Sequence, residues 1–201
     1  MDNKQIEEIY NNTFSGLTLF YRDTTLQENL ISKYQVGQIL NERGFTDMSF
    51  RGGGLTTNLR YLIASANAKD LSALNPDGNQ VGHVILTSDT FFKVLDIYKI
   101  ENKTQVFLLE IPSTAIDFFA SATSSIEDDV TKKARESFDT KLNTDPIAEL
   151  QTTQWKERTE FPIGMNDKGE FFYQFESKVE IENKSSFENF NKTVKPWWKF
   201  W

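Results

Sequence analysis

Residues 80–111 constrain the fold more than any other part of the sequence. They contain three runs rich in β-branched and aromatic residues, QVGHVILT, FFKVLDIYKI and TQVFLLEI, separated by polar, turn-forming residues. We expect these runs to pair as neighbouring strands and to supply the core against which helices pack. The middle run, residues 91–100, also has helical spacing, but six of its ten residues are β-branched or aromatic, which favours a strand.

The second and third runs indicate a β-hairpin with residues 101–104 as its turn. A turn centred there places Tyr98 opposite Phe107 and Ile97 opposite Leu108. Each such cross-strand pair stabilises a sheet by a few tenths of a kcal/mol to about 1 kcal/mol. The hairpin register is therefore a specific prediction that a structure can test.

The clearest helix signal begins at Thr25. Thr25 and Glu28 have the spacing of a capping box, in which the hydroxyl and the carboxylate each bond a free amide at the helix start. Gly37 falls where the apolar stripe shifts, so the segment is either one bent helix or two short ones. Gly44 provides a stop signal.

The remaining elements follow from apolar spacing and turn residues. Residues 57–65 fit a strand or a helix equally well, and the glycines before them favour a strand. The other expected elements are helices over residues 2–12, 113–120 and 125–145, strands over 17–22 and 178–182, a turn at 75–78 and a hairpin joining 160–164 to 170–176.

This pattern predicts a single α+β domain over residues 1–182, in which helices pack on one face of a mainly antiparallel sheet. Residues 183–201 are expected to form a polar linker and an aromatic tail.

Composition excludes several kinds of site. The chain has 201 residues, no cysteine and one histidine, which rules out disulfides, thiolate metal sites, cysteine nucleophiles and histidine-rich metal sites. The net charge of −7 disfavours nucleic-acid binding, because phosphate contacts require a basic face. Neither a secretory leader nor a long apolar run is evident, so we expect a soluble, cytoplasmic protein. No cofactor, metal site or catalytic residue is predicted.

One loop has the composition of an anion site. Consecutive glycines let backbone amides approach an anion, and a neighbouring arginine adds charge. The loop lacks the lysine of a phosphate-binding loop, so a flexible connection between two elements is the simpler explanation. The candidate ligand-binding residues are Arg51, Gly52, Gly53, Gly54, Arg60, Tyr61 and His83. His83 lies in a strand-like run with no evident partner, which is typical of a structural histidine.

The C-terminal end has the composition of a contact surface. Three of the four tryptophans fall in the last six residues, and tryptophan is frequent in binding hot spots. The segment either folds back on its own domain or inserts into a partner, a second copy of the chain or a membrane interface. The candidate partner-binding residues are Trp197, Trp198, Phe200 and Trp201, together with the alternating Glu176, Glu180 and Glu182.

Two functional hypotheses follow. The first is a non-enzymatic binding or interaction protein, such as an adaptor or a neutraliser of a basic protein partner. The alternative is a small-molecule or phosphate-ester enzyme or sensor with its site near the loop of Gly52 to Gly54. A protein partner or self-association is expected. Nucleic acid is not, and neither is a membrane apart from interfacial contact by the tail.

Overall fold

The computed structural model describes residues 2–71, 74, 76–121 and 125–173. The helices are α1 (Asn3–Phe14), α2 (Glu28–Ile31), α3 (Pro76–Val81), α4 (Ile116–Ser121), α5 (Ser125–Leu142) and α6 (Thr153–Thr159). The strands are β1 (Thr18–Thr24), β2 (Ile39–Glu42), β3 (Thr46–Ser49), β4 (Leu59–Ser65), β5 (Lys69–Asp70), β6 (His83–Leu86), β7 (Thr90–Ile100) and β8 (Lys103–Ile111). Single-turn 3-10 helices span Ser113–Ala115 and Ala148–Gln151. The predicted α+β class is confirmed.

The strands form one eight-stranded sheet in the order β2-β7-β8-β4-β1-β3-β6-β5. Among the described strand pairs, β4 and β8 run parallel and the others antiparallel. Strands β4 and β8 are almost fully buried, as expected where both faces of a sheet are covered. The expected strand over residues 57–65 and the strand assignment of residues 91–100 are both confirmed.

Alternation along the strands divides the core into two apolar clusters. One cluster packs Tyr61, Ile63, Val106 and Leu108 against α2 and residues 163–165. The other packs side chains from the opposite face of β4 and β8, such as Leu62 and Phe107, against α1, α4 and α5. The longer helices therefore share one face of the sheet. No helix of the described residues has the length and apolar character needed to cross a membrane.

The prediction of one bent helix or two short helices from Thr25 to Gly44 is wrong. One helical turn, α2, forms there, and its N-cap residue makes no side-chain capping bond. The side chain of Asn58 bonds both backbone groups of Leu26, at 3.0 Å to its amide and 2.7 Å to its carbonyl, which removes them from a helix. Farther along, Ile39 and its neighbours pair with β7 as strand β2. Tertiary contacts override the local helical signal.

The strand pairing around residues 80–111 differs from expectation in two ways. Strand β6 pairs with β3 and β5 instead of β7. The β7–β8 hairpin forms, but Tyr98 lies opposite Gln105 and Ile97 opposite Val106. A tighter turn causes this shift of two positions, because Ile100 already pairs with Lys103. A shift of two keeps each side chain on its expected face.

Two shorter predictions also change. The expected turn at residues 75–78 is largely replaced by helix α3. The predicted hairpin after residue 160 reduces, within the described residues, to a bridge between Met165 and Phe171. Residues 174–201 lie outside the described part of the chain, and with them Glu176, Glu180, Glu182 and the four aromatic residues of the tail. The predictions for those residues stay predictions.

Candidate functional site

The glycine loop is a packed connection in this structure. A Cβ atom at Gly52 would stand 2.8 Å from the ring of Tyr21, and one at Gly53 would stand 2.8 Å from the carbonyl oxygen of Asp145. The amide of Gly54 donates to that same carbonyl at 3.1 Å. Glycine is needed here because chain segments approach closely. Ligand binding by this loop would require those contacts to open.

Arg60 and Tyr61 lie on opposite faces of β4. The buried guanidinium of Arg60 forms two 2.7 Å bonds with the carboxylate of Asp23 and donates to the carbonyl of Gly53 at 2.8 Å. The hydroxyl of Tyr61 lies 2.7 Å from that of Tyr34. Burial raises the pKa of Tyr61 to about 12. The structure therefore does not bring these two predicted ligand residues together.

His83 has the partner that the sequence did not reveal. In the antiparallel β3–β6 pair, Ser49 lies opposite His83 and Asp47 opposite Ile85, so all four side chains leave the same face of the sheet. The Asp47 carboxylate is the diagonal neighbour of the imidazole, and its Oδ1 atom lies 2.6 Å from Nε2 of His83. Because a carboxylate accepts hydrogen bonds, this contact favours the imidazole form with its proton on Nε2.

Helix α6 packs over this pair. The hydroxyl of Thr152 caps the helix by accepting from the amide of Trp155 at 3.3 Å. One turn further on, the Trp155 ring makes a T-shaped contact with the His83 ring, with centroids 5.4 Å apart and planes at 88°. The guanidinium of Arg158 lies 3.7 Å from Oδ1 of Asp47. The helix therefore adds an aromatic wall and a half-exposed cation to the histidine–aspartate pair.

A small open cleft of about 40 Å³ lies where these groups meet. It is lined by Gly78, Val81, His83, Thr152, Gln154, Trp155 and Arg158. His83 is buried, with 3% of its surface exposed, so it forms part of the floor. Arg51, another predicted ligand residue, is held nearby, since its guanidinium donates to the carbonyl of Gln80 and lies 3.9 Å from Glu149.

Arg22 ties the cleft to the segment that follows α6. Its guanidinium donates to the carbonyl of Asp47 and to the carbonyl of Phe161, both at 3.1 Å. Its Nε atom is buried and has no hydrogen-bond partner among the described residues. Burial lowers the pKa of Arg22, and the nearby Tyr61 and Asp47 partly oppose that shift. Arg22 thus holds the backbone of β3 in place from the opposite face.

Ser49 does not have the contacts of a nucleophile. Its hydroxyl donates to the carbonyl of Val81 at 2.5 Å and accepts from the amide of Arg51 at 2.8 Å. The hydroxyl is used to join β3 to the end of α3. Within the described residues, no group of three or more histidine, aspartate or glutamate side chains is placed to hold a metal ion. The arrangement at the cleft is suited to proton transfer by the imidazole.

No protein-family model matches the chain, and no curated protein matches it. Solved structures show a partial similarity. The type III effector XopAI from Xanthomonas axonopodis pv. citri is 17% identical over 51% of this chain and 44% of its own, with a TM-score of 0.43. The Vis toxin, an ADP-ribosyltransferase from Vibrio splendidus, is 16% identical over 49% of this chain and 50% of its own, with a TM-score of 0.40.

A third solved structure holds a ligand. Exoenzyme S from Pseudomonas aeruginosa, in complex with human 14-3-3 protein beta and bound to carba-NAD, is 13% identical over 51% of this chain and 53% of its own, with a TM-score of 0.41. This chain therefore covers about half the length of each of the three, 44%, 50% and 53%. The similarity assigns neither a substrate nor a site residue to this chain.

The expectation of a non-enzymatic adaptor or neutraliser is wrong. The solved structures that resemble the chain include named ADP-ribosyltransferases, which are enzymes. The prediction rested on the absence of catalytic motifs. Motif absence is weak evidence, because side chains that meet in a fold, such as His83 and Asp47, can come from two strands that are distant in sequence.

Sequence reasoning missed Asp47, Trp155 and Arg158. Asp47 lies in the segment TDMS, where alternate residues Thr46 and Met48 are buried, which places Asp47 on the other face. Trp155 is the one tryptophan outside the last six residues, and its isolation is the only sequence signal that distinguishes it. Neither signal indicates that these residues meet His83.

Proposed function

We propose that this chain is an enzyme whose acid–base centre is the pair of His83 and Asp47. The observation that carries the proposal is the 2.6 Å contact between the His83 imidazole and the Asp47 carboxylate at the floor of a cleft. A carboxylate bonded to one imidazole nitrogen fixes the orientation of the ring and leaves the other nitrogen for a substrate. His83 is the only histidine of the chain, so this is its one possible imidazole base.

The reaction class that fits is proton-assisted transfer or hydrolysis. Nδ1 of His83 takes a proton from an attacking hydroxyl, amine or water as that atom bonds to the electrophilic atom of the substrate. The leaving group departs with its bonding electrons, and the protonated imidazole returns the proton to it or to solvent. Asp47 stabilises the imidazolium that forms between these steps. Ser49 stays out of the reaction, because its hydroxyl is held by Val81.

The walls of the cleft favour a substrate with an anionic group beside a planar ring. Arg158 is half-exposed at the rim, and arginine binds carboxylates and phosphates through paired N–H donors. Trp155 presents an indole at the same cleft, and indole rings stack with other rings. A nucleotide-type small molecule satisfies both. The protein partner expected from the sequence enters this proposal as one candidate acceptor for the transferred group.

Turnover by the full-length chain tests the proposal. NAD+ is the first probe, chosen because carba-NAD is bound in Exoenzyme S, and UDP-glucose and p-nitrophenyl phosphate complete the panel. We expect product release by the wild type and a loss of 10²- to 10⁴-fold, of the order of general-base catalysis, in His83→Gln and Asp47→Asn. Arg158→Gln should mainly raise KM, while Lys156→Gln, an exposed cation on the same helix, should leave the rate unchanged.

The variants also define the contrary result. If His83→Gln kept the wild-type rate on a substrate that the wild type turns over, the imidazole would not be the base. The circular dichroism spectrum and urea midpoint of each variant separate a chemical loss from misfolding. The same rate in Arg158→Gln and Lys156→Gln would remove Arg158 from substrate binding and leave the acid–base pair in place.

A further inference from the structure

The imidazole of His83 is closed off from any organic substrate in this structure. His83 is 3% exposed, and the cleft above it measures about 40 Å³, close to the space of one water molecule. Pockets for small-molecule ligands span roughly 300–1,000 Å³. If His83 reacts with such a ligand, as the proposed function requires, something above it must move. The group directly against its ring is Trp155.

The segment after α6 is fastened to the sheet by buried bonds. Tyr34 donates its hydroxyl proton to the carbonyl of Ile163 at 2.7 Å, and the amide of Ile163 donates to the hydroxyl of Tyr61 at 3.3 Å. The amide of Gly164 donates to the carboxylate of Glu42 at 2.7 Å. Ile163 itself is 1% exposed. Residues 161–164 therefore form a fixed anchor.

Helix α6 itself has weaker fastenings. Arg158 and Asp47 are 3.7 Å apart, and the Arg158 side chain is 44% exposed, so solvent and salt screen the pair. Thr159, at the last turn, donates to the carbonyl of Asp23 at 3.1 Å, next to the fixed anchor. In the first turn, Trp155 supplies the buried apolar contact of the helix. The part of α6 that covers His83 is thus held less firmly than the part that leads into the anchor.

We propose that Trp155, carried by α6, is a gate over His83. The gate is closed in this structure, with the indole and imidazole rings in T-shaped contact. It opens when the first turn of α6 moves away from β3 and β6 while residues 161–164 stay in place. This inference rests on the proposed function in one respect only: the molecule that the open gate admits is a substrate. The gating of His83 can be measured without a substrate.

Carbethoxylation of the full-length chain by diethylpyrocarbonate tests the gate. Since His83 is the only histidine, the ultraviolet absorbance of the histidine adduct reports this residue alone. We expect the wild type to react at least tenfold more slowly than N-acetylhistidine, and Trp155→Ala to react at least tenfold faster than the wild type. Phe161→Ala should match the wild type, because Phe161 is an exposed aromatic residue, 57% accessible, in the anchor segment just after α6.

Urea distinguishes a gate from global unfolding. A local opening exposes little surface, so the wild-type rate should rise only weakly with urea below the unfolding transition. A rate that rises as steeply as the global unfolding equilibrium would overturn the proposal, as would equal rates in Trp155→Ala and the wild type. If Trp155→Ala does not fold, Trp155→Phe keeps an aromatic residue and should react at an intermediate rate. A rate equal to that of the wild type would again contradict the gate.

The two proposals fail in different ways. If the proposed role of His83 is wrong, His83→Gln keeps full turnover, while the carbethoxylation rates still depend on Trp155. If the gate proposal is wrong, His83→Gln loses turnover, while Trp155→Ala and the wild type react with diethylpyrocarbonate equally fast. The two readouts therefore decide the two questions separately.

Discussion

At the scale of single residues, Tyr34 and Tyr61 show how burial determines side-chain chemistry. Their hydroxyl groups lie 2.7 Å apart and hold both backbone groups of Ile163. Burial raises the pKa of Tyr61 to about 12 and the pKa of Tyr34 well above its usual value. Both tyrosines stay neutral in the folded protein at a pH where an unfolded tyrosine, with a pKa near 10, begins to ionise.

This difference predicts a loss of stability at alkaline pH. A folded pKa above the unfolded value stabilises the fold fully below pH 10, and that contribution falls as the pH rises through about 12. In Tyr34→Phe/Tyr61→Phe, we expect lower stability at pH 7, because Ile163 loses its partners, and a smaller loss between pH 10 and 12. Urea unfolding at pH 7 and between pH 10 and 12 measures the free energy of unfolding of the wild type and of the variant. Parallel curves for wild type and variant would rule out a contribution from these hydroxyl groups.

The residue types at the site were easier to predict than their partners. Arg60 and His83 were singled out because arginine and histidine carry chemistry, and both have charged partners in the structure. The guanidinium of Arg60 is committed to Asp23, while His83 meets Asp47. Which carboxylate lies beside which base follows from strand register, and local sequence does not encode the register of strands distant in the chain.

At the scale of elements, the β7–β8 hairpin departs from its predicted register because of its turn. Residues 101 and 102 connect the strands, and Glu101 has a φ of 53°, a left-handed conformation that suits glycine. A non-glycine residue in that region is strained by about 1–2 kcal/mol. Glycine avoids the strain, but it loses more backbone entropy on folding, which costs roughly 0.5–1 kcal/mol. A glutamate gives no sequence signal for such a turn, so the prediction centred it one residue later.

The strain at Glu101 predicts a stabilising substitution. Glu101→Gly should raise the free energy of unfolding by about 0.5–1 kcal/mol, the relief of strain less the entropy of glycine. Asn102→Gly is the matched control, because Asn102 does not have a positive φ, and it should be neutral or destabilising. Urea unfolding at neutral pH measures both. Equal effects of the two substitutions would show that the conformation at Glu101 is not strained.

Helix prediction succeeded where no tertiary contact competed with the local pattern. Helices α1 and α5 form close to their expected positions, and Asp2 caps α1 with a bond of 2.8 Å to the amide of Gln5. The segment after Thr25 failed because Asn58, more than thirty residues away, bonds the backbone of Leu26. The capping box was present in the sequence, but the fold uses those residues differently.

At the scale of the whole molecule, the sequence predicts that a sheet with helices forms, but it does not predict the cleft. The runs within residues 80–111 do form strands, and the α+β class follows from them. The cleft requires β3 to lie between β1 and β6, and α6 to return over that edge from the far end of the described chain. Periodicity and turn signals carry no information about this strand order.

The central claim is that Asp47 orients the His83 imidazole for proton transfer, and a long-range ¹H–¹⁵N spectrum of the labelled full-length chain tests it most directly. The single histidine gives one set of signals. We predict that neutral His83 carries its proton on Nε2, facing Asp47, and that Asp47→Ala shifts the tautomer balance. A neutral imidazole protonated on Nδ1 in the wild type, or an identical spectrum in Asp47→Ala, would contradict the claim.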